Sequence, residues 1–134
     1  MTVFVDTSAF YAVFDRDDEN HPRAVRAWAD LLNGDTRLLT NNYVLLETGA
    51  LLQHRIGAAA LRAFHQDVRP LLDVEWITNE RHQAAVEATL TAGRRKLSIV
   101  DSISFQTMME RGVRTAFCFD RHFREQGFEV IPSR

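Results

Sequence analysis

The chain has 134 residues, of which 46% are hydrophobic and 25% charged, and a net charge of −2 from 16 basic and 18 acidic side chains. These totals fit a single domain, residues 1–134, that can bury a core, and they exclude a disordered chain. No apolar run approaches the roughly 20 residues that span a bilayer and no signal-peptide pattern opens the chain, so a cytoplasmic protein with no membrane partner is expected.

Val3-Phe4-Val5 is an apolar run stopped by Asp6-Thr7-Ser8, the pattern of a buried strand feeding a helix N-terminus. Taken alone, Asp6 reads as a helix cap. A first short helix from Ser8 to about Phe14 places Phe10, Tyr11 and Phe14 at helical spacing. The charged stretch 15–19 reads as a solvated link, and Pro22 opens a second helix that Asn33-Gly34 ends. Arg37 to Thr40 is a second strand. Asn41-Asn42 then caps a helix from Tyr43 to Leu52, where Glu47 is a charge among leucines, with even odds of facing solvent.

Gly57 breaks the chain before an amphipathic stretch, 58–72, that Pro70 shortens; its Leu61, Phe64 and Val68 read as core or dimer surface. Residues 73–77 alternate as a half-buried strand, and Thr78 or Asn79 caps a helix from about 80 to 92. Gly93-Arg94-Arg95-Lys96 is a basic turn. Ser98 and Asp101 have the spacing of a capping box opening a helix that Gly112 stops. Val113 to Phe119 reads as a strand, Asp120 begins a short helix, and 128–131 is an edge strand. The alternation predicts an α/β fold with a small, mainly parallel sheet and helices on both faces.

Four acids stand out: Asp6 and Asp120 after strands, Asp101 in a helix first turn, and Glu47. Capping explains three of them singly but not why all four fall where such a sheet gathers residues at its carboxyl edge. Carboxylates that close repel one another unless a hard cation neutralises them, and Mg²⁺ or Mn²⁺ suits oxygen ligands and phosphate together. Two-metal hydrolysis of a phosphodiester is the chemistry such a site serves. No His-Cys cluster points to zinc and no phosphate-binding loop to a nucleotide triphosphatase. Cys118, the single cysteine, reads as a buried small hydrophobe rather than a nucleophile.

Asp6-Thr7-Ser8, Glu47, Ser98-Ile99-Val100-Asp101 and Phe119-Asp120-Arg121-His122-Phe123, in that order across nearly the whole chain, resemble the PIN-domain ribonucleases. Length and order most resemble the VapC toxins of toxin–antitoxin pairs. The resemblance implies a PIN-like three-layer α/β/α sandwich and a Mg²⁺- or Mn²⁺-dependent endoribonuclease that leaves 5′-phosphates. It implies Asp6 and Asp101 as principal metal ligands, Glu47 and Asp120 at a second metal or acting through water, and Ser8 assisting from the edge, with Thr7 beside it. It also implies RNA as substrate, a homodimer, and a small antitoxin that blocks the site with a basic side chain. Where many members carry Thr or Ser two residues before the last Asp, this chain has Cys118. With the other acids in view, Asp6 reads as a ligand first and a cap second.

Among the remaining residues, His122, two positions after Asp120, reads as a surface histidine, with a phosphate-facing role as the alternative. Arg94, Arg95, Arg121 and Arg124 are candidates for RNA backbone contact against a solvated-face alternative. Fifteen of the 16 basic residues are arginine, which matches phosphate bidentately, although coding bias explains that count as well. Competing readings are a haloacid-dehalogenase-type phosphatase, which would need an Asp where Ser8 stands, a receiver domain, a PIN nuclease in RNA processing without an antitoxin, and a catalytically silent binding module.

Overall fold

The structure, a computed structural model, describes residues 1–93 and 97–133. The elements follow the predicted alternation: β1 (Thr2–Val5), α1 (Thr7–Phe14), α2 (His21–Asn33), β2 (Arg37–Asn41), α3 (Asn42–Arg55), α4 (Ala58–Ala63), β3 (Leu72–Glu75), α5 (Asn79–Ala92), α6 (Ile99–Arg111), β4 (Thr115–Phe117), α7 (Arg121–Glu125) and β5 (Glu129–Ile131). The sheet order is β3-β2-β1-β4-β5 and all four pairings are parallel, where the sequence predicted only a mainly parallel sheet. β1 lies at the centre with Val3 opposite both Leu38 and Thr115, and Val3, Phe4 and Val5 are fully buried. A strand covered on both faces has no polar side, which is why its sequence is a continuous apolar run.

Two aromatic groups fill the space on either side. Phe10 meets Trp28 and Phe64 edge-on, with ring centroids 6.3 and 5.1 Å apart. Phe123 meets Phe105 at 5.0 Å and Phe4 at 6.1 Å. Each such pair adds about 0.5–1.5 kcal/mol to the burial of its rings.

Boundaries depart from the sequence reading in two places. The predicted helix 58–72 is regular only to Ala63; a π-helical turn, Phe64–Val68, and a 3-10 turn, Arg69–Leu71, follow it. The wider turn brings both Phe64 and Val68 into the core. The strand predicted over 113–119 narrows to Thr115–Phe117, because only those residues pair with β1 and β5. The basic turn at Arg94, Arg95 and Lys96 lies outside the described residues.

Strands β2 and β3 lie on one side of β1, and β4 and β5 on the other, so the order reverses between β1 and β4. In an open parallel sheet the crevice outside the carboxyl ends at that reversal is where ligands bind. Two buried polar side chains hold the crevice in shape. Thr40 donates to the Val5 carbonyl at 3.0 Å, and Asn41 caps α3 by accepting from the Val44 N–H at 2.9 Å. The Asn41 amide reaches Ser104 and Thr107 on α6 at 3.3 and 3.4 Å, locking α3 to α6. Replacing Asn41 by Ala should remove a cap and two buried hydrogen bonds, lowering unfolding free energy in a urea titration by about 2 kcal/mol.

Candidate metal centre

Asp6 follows the last residue of β1 and is the N-cap of α1, its Oδ2 accepting from the Ser8 N–H at 3.1 Å and the Ser8 hydroxyl at 2.7 Å. Asp120 follows β4 and caps α7, its Oδ1 accepting from the His122 N–H at 2.9 Å. Asp101 stands in the first turn of α6 within a complete capping box: its N–H donates to Ser98 Oγ at 3.0 Å and the Ser98 N–H to Asp101 Oδ2 at 3.4 Å. The three caps expected from the sequence are therefore real. They occupy one side of each carboxylate and fix where the other side points.

Glu47, in α3, lines the same cleft as Asp6, Asp101 and Asp120, a cavity of about 530 Å³. It is neither fully buried nor solvent-facing. All four sequence-selected acids and Ser8 thus share one cleft, at the reversal between β1 and β4. They are not equally close. One donor atom each from Asp101, Asp120 and His122 lies within 4.8 Å of the others, a group that includes neither Asp6 nor Glu47.

Ser8 is the hinge of the arrangement. Its hydroxyl donates to Asp6 and accepts from the Phe119 N–H at 2.9 Å, tying the residue after β1 to the residue before Asp120. Thr7 lines the same cleft, and its hydroxyl accepts a hydrogen bond from Thr48 at 3.3 Å. Cys118 is buried, and burial pushes its thiol far above the usual range, so it stays protonated. Its Sγ donates weakly to the Asp120 carbonyl at 3.7 Å, keeping a contact at the position where Thr or Ser was expected.

His122 corrects the sequence reading. It is 8% exposed rather than on the surface, and its Nδ1 lies 3.0 Å from Asp120 Oδ1 and 3.4 Å from Asp101 Oδ2. The cause is local: α7 is a single short turn packed against β5, with the neighbouring Phe123 wholly buried, so its first-turn residues are covered too. The sequence also passed over Asp18, Asn20 and Arg55, which line the cleft. Asp18 reads from the sequence as part of the solvated link 15–19, and no local pattern marks Asn20 or Arg55. Arg55 sits 5.3 Å over the Tyr11 ring.

The electrostatics follow from burial. Asp6 is 4% exposed, and desolvation, with smaller contributions from Asp101 and Asp120, raises its pKa from 3.8 to about 7 against the lowering effect of Ser8. Desolvation and then Asp120 push Asp101 up as well. Among the described residues no arginine forms an ion pair with any of the four acids. Close carboxylate oxygens that repel one another and have no arginine partner among the described residues are a donor set suited to a hard divalent ion.

With this geometry in place, comparison with known proteins identifies the class. The PIN domain matches residues 3–129, and the chain belongs to that family. It is 36% identical over 132 residues to the 23S rRNA-specific endonuclease VapC20 of Mycobacterium tuberculosis, covering 97% of this chain and 98% of the relative. The crystal structure of M. tuberculosis VapC20, a sarcin-ricin loop cleaving toxin, superposes with a TM-score of 0.83 at 34% identity, covering 94% of this chain and 95% of that one. FitAcB from Neisseria gonorrhoeae shares the fold, with a TM-score of 0.67 at 14% identity over 97% of this chain and 96% of that one.

A carboxyl whose folded-state pKa is raised keeps its proton in the fold after the unfolded chain has lost it. In metal-free protein stability should therefore be greatest near pH 4, fall as pH rises to about 7, and level off above. The interval from 3.8 to about 7 corresponds to a loss on the order of 4 kcal/mol at most. Asp6→Asn should make the metal-free protein more stable at pH 8 and flatten this profile, measured by urea unfolding across pH in chelator.

Proposed function

We propose that this chain is a divalent-metal-dependent endoribonuclease and the toxin of a toxin–antitoxin pair, acting as a single domain in the cytoplasm. The observation that carries the reading is the convergence of four carboxylates, Asp6 and Asp101 among them buried, in one cleft at the sheet's reversal, with no arginine among the described residues in ion pair with them. The kinship to an endonuclease at 36% identity over almost the full chain supports the same reaction class.

Asp6 and Asp101 are the principal ligands for Mg²⁺ or Mn²⁺, with Glu47 and Asp120 completing the set from α3 and the start of α7. The bound ion would supply Lewis acidity, making water a nucleophile near neutral pH and offsetting charge on the phosphoryl oxygens. The chain's part is positional. Ser8 and the caps hold the carboxylates in one orientation, so little reorganisation is needed on substrate binding. Water adds to phosphorus, the bond to the 3′ oxygen breaks, and that oxygen takes a proton, leaving a 3′-hydroxyl and a 5′-phosphate. Asp6→Asn should abolish RNA cleavage at saturating Mg²⁺ or Mn²⁺ while the protein remains folded, read by sequencing 5′-phosphate ends after brief expression. Full activity in that variant, or in excess chelator, overturns the proposal.

RNA as substrate is supported by a second cleft of about 310 Å³ that shares Asn20, Phe119 and Asp120 with the acid-lined one. Arg23, Arg121 and Arg124 line it, and Arg23 lies 5.6 Å over the Phe119 ring. Neither Arg121 nor Arg124 forms an ion pair among the described residues, so both are available to phosphate. The relative acts on 23S rRNA, which makes ribosomal RNA the first substrate class to test. A homodimer and a small antitoxin carrying a basic side chain into the acid-lined cleft complete the assignment. Arg121→Ala with Arg124→Ala, in the Asp6→Asn background, should weaken binding of unrelated RNAs alike. The slope of log affinity against log salt should fall by about 1 to 2.

A further inference from the structure

Three observations on His122 go beyond what the four acids require. The ring is 8% exposed, yet among the described residues neither Nδ1 nor Nε2 has a hydrogen-bond partner. A buried imidazole normally satisfies at least one nitrogen, because an unmade hydrogen bond away from water carries the full desolvation cost. At the same time Nδ1 stands 3.0 Å from Asp120 Oδ1 and 3.4 Å from Asp101 Oδ2. Oxygens this close that still fail as hydrogen-bond acceptors lie off the axis of the ring nitrogen, beside its lone pair rather than in line with it.

That off-axis arrangement is the one adopted by donors sharing an ion. Two ligands at adjacent corners of an octahedron with bonds near 2.1 Å stand roughly 3.0 Å apart, each about 45° from the other's axis. The backbone sets the relation of His122 to Asp120, since the His122 N–H donates to Asp120 Oδ1 and fixes both in one turn. The capping box fixes Asp101 opposite them. Among the described residues no group accepts from Nδ1 or pairs with Nε2, so the neutral ring can carry its proton on Nε2 and leave the Nδ1 lone pair free for a cation.

We propose that His122 is a metal ligand of this centre, joining Asp101 and Asp120 through Nδ1, so that the site is a mixed nitrogen–oxygen set. The inference rests on the metal-dependent reading above. It adds a consequence that carboxylates alone do not give: imidazole favours Mn²⁺ and the later first-row divalent ions over Mg²⁺, which prefers oxygen.

The test is electron spin-echo envelope modulation of Mn²⁺ bound to the full chain. The wild type should show ¹⁴N modulation that is replaced by a ¹⁵N pattern when histidine is ¹⁵N-labelled. The other four histidines lie outside the acid-lined cleft and outside the cluster, so the wild-type spectrum is decisive even if a variant fails to fold. In His122→Asn the modulation should vanish and the Mn²⁺ dissociation constant rise at least about tenfold. Mg²⁺ affinity, measured by competition, should change less than about threefold. Mn²⁺ bound by the wild type without nitrogen modulation, and equally tightly by His122→Asn, overturns the assignment of His122 and leaves the carboxylate centre intact. Absence of saturable Mn²⁺ binding in the wild type, or equal binding by Asp101→Asn, overturns both.

Discussion

Two carboxylates taken out of water, Asp6 after β1 and Asp101 in the first turn of α6, with the half-buried Asp120 after β4 beside them, are the constraint on which the rest of the structure depends. The sheet order creates the crevice, and the short segments after β1 and β4 deliver Asp6 and Asp120 into it. Burial, and after it the neighbouring acids, raise the pKa of Asp6 and Asp101, and no arginine among the described residues forms an ion pair with them. Its ion-paired arginines are spent elsewhere: Arg81 and Arg111 bind Glu75, Glu110 and Asp73 along the β3 edge. A fold under selection for stability alone would neutralise or replace these acids, since a buried charge left unpaired is strongly destabilising. Their retention makes sense when a cation completes the site.

Capping and ligation, which look like rival explanations of the same aspartates, are parts of one device. A cap takes its N–H bonds on one side of a carboxylate and thereby sets the direction of the other side. At α1 and α6 the unpaired amide groups of a helix start also place partial positive charge beside the acid, offsetting some of the repulsion. Ser8 extends the device across the sheet reversal, because one hydroxyl serves Asp6 as donor and the Phe119 amide as acceptor. The distance between the two loops is thus fixed by two hydrogen bonds rather than by the flexible length of either loop.

The order of elements was legible because buried strands, caps and glycine stops leave strong local patterns. Gly112, for instance, ends α6 in the left-handed conformation at φ 66°, which glycine adopts without strain. Asp6, Asp101 and Asp120 stood out for the same reason, each at an element boundary the sequence marks, while Glu47, inside α3, stood out as a charge among leucines. What escaped depends on tertiary packing. His122 follows a cap and looks like a first-turn surface residue; it is buried because α7 is too short to have a solvent face free of β5 and Phe123. Arg23 is twelve residues beyond Tyr11 on a helix whose rotation no local pattern sets, so its place over Phe119 could not be read. The π-helical turn after α4 escaped too, since no single residue encodes it.

The net charge of −2 conceals a segregation with a mechanical reading. Acids dominate one cleft, where Arg55 is the lining cation, and Arg23, Arg121 and Arg124, without an ion pair among the described residues, line the adjoining one beside Glu19, with Phe119 and Asp120 on the boundary. A polyanion approaching the acids alone would be repelled; under the proposed ribonuclease reading, one approaching along the arginines would be held by phosphates that flank the reactive one rather than by the reactive one itself. Affinity and chemistry are then supplied by different side chains. The acid cluster can keep its repulsion, and hence its demand for a cation, without forfeiting the substrate. The Arg23–Phe119 pair stands where the two functions meet, offering a flat cationic and aromatic surface of the kind on which unpaired bases stack.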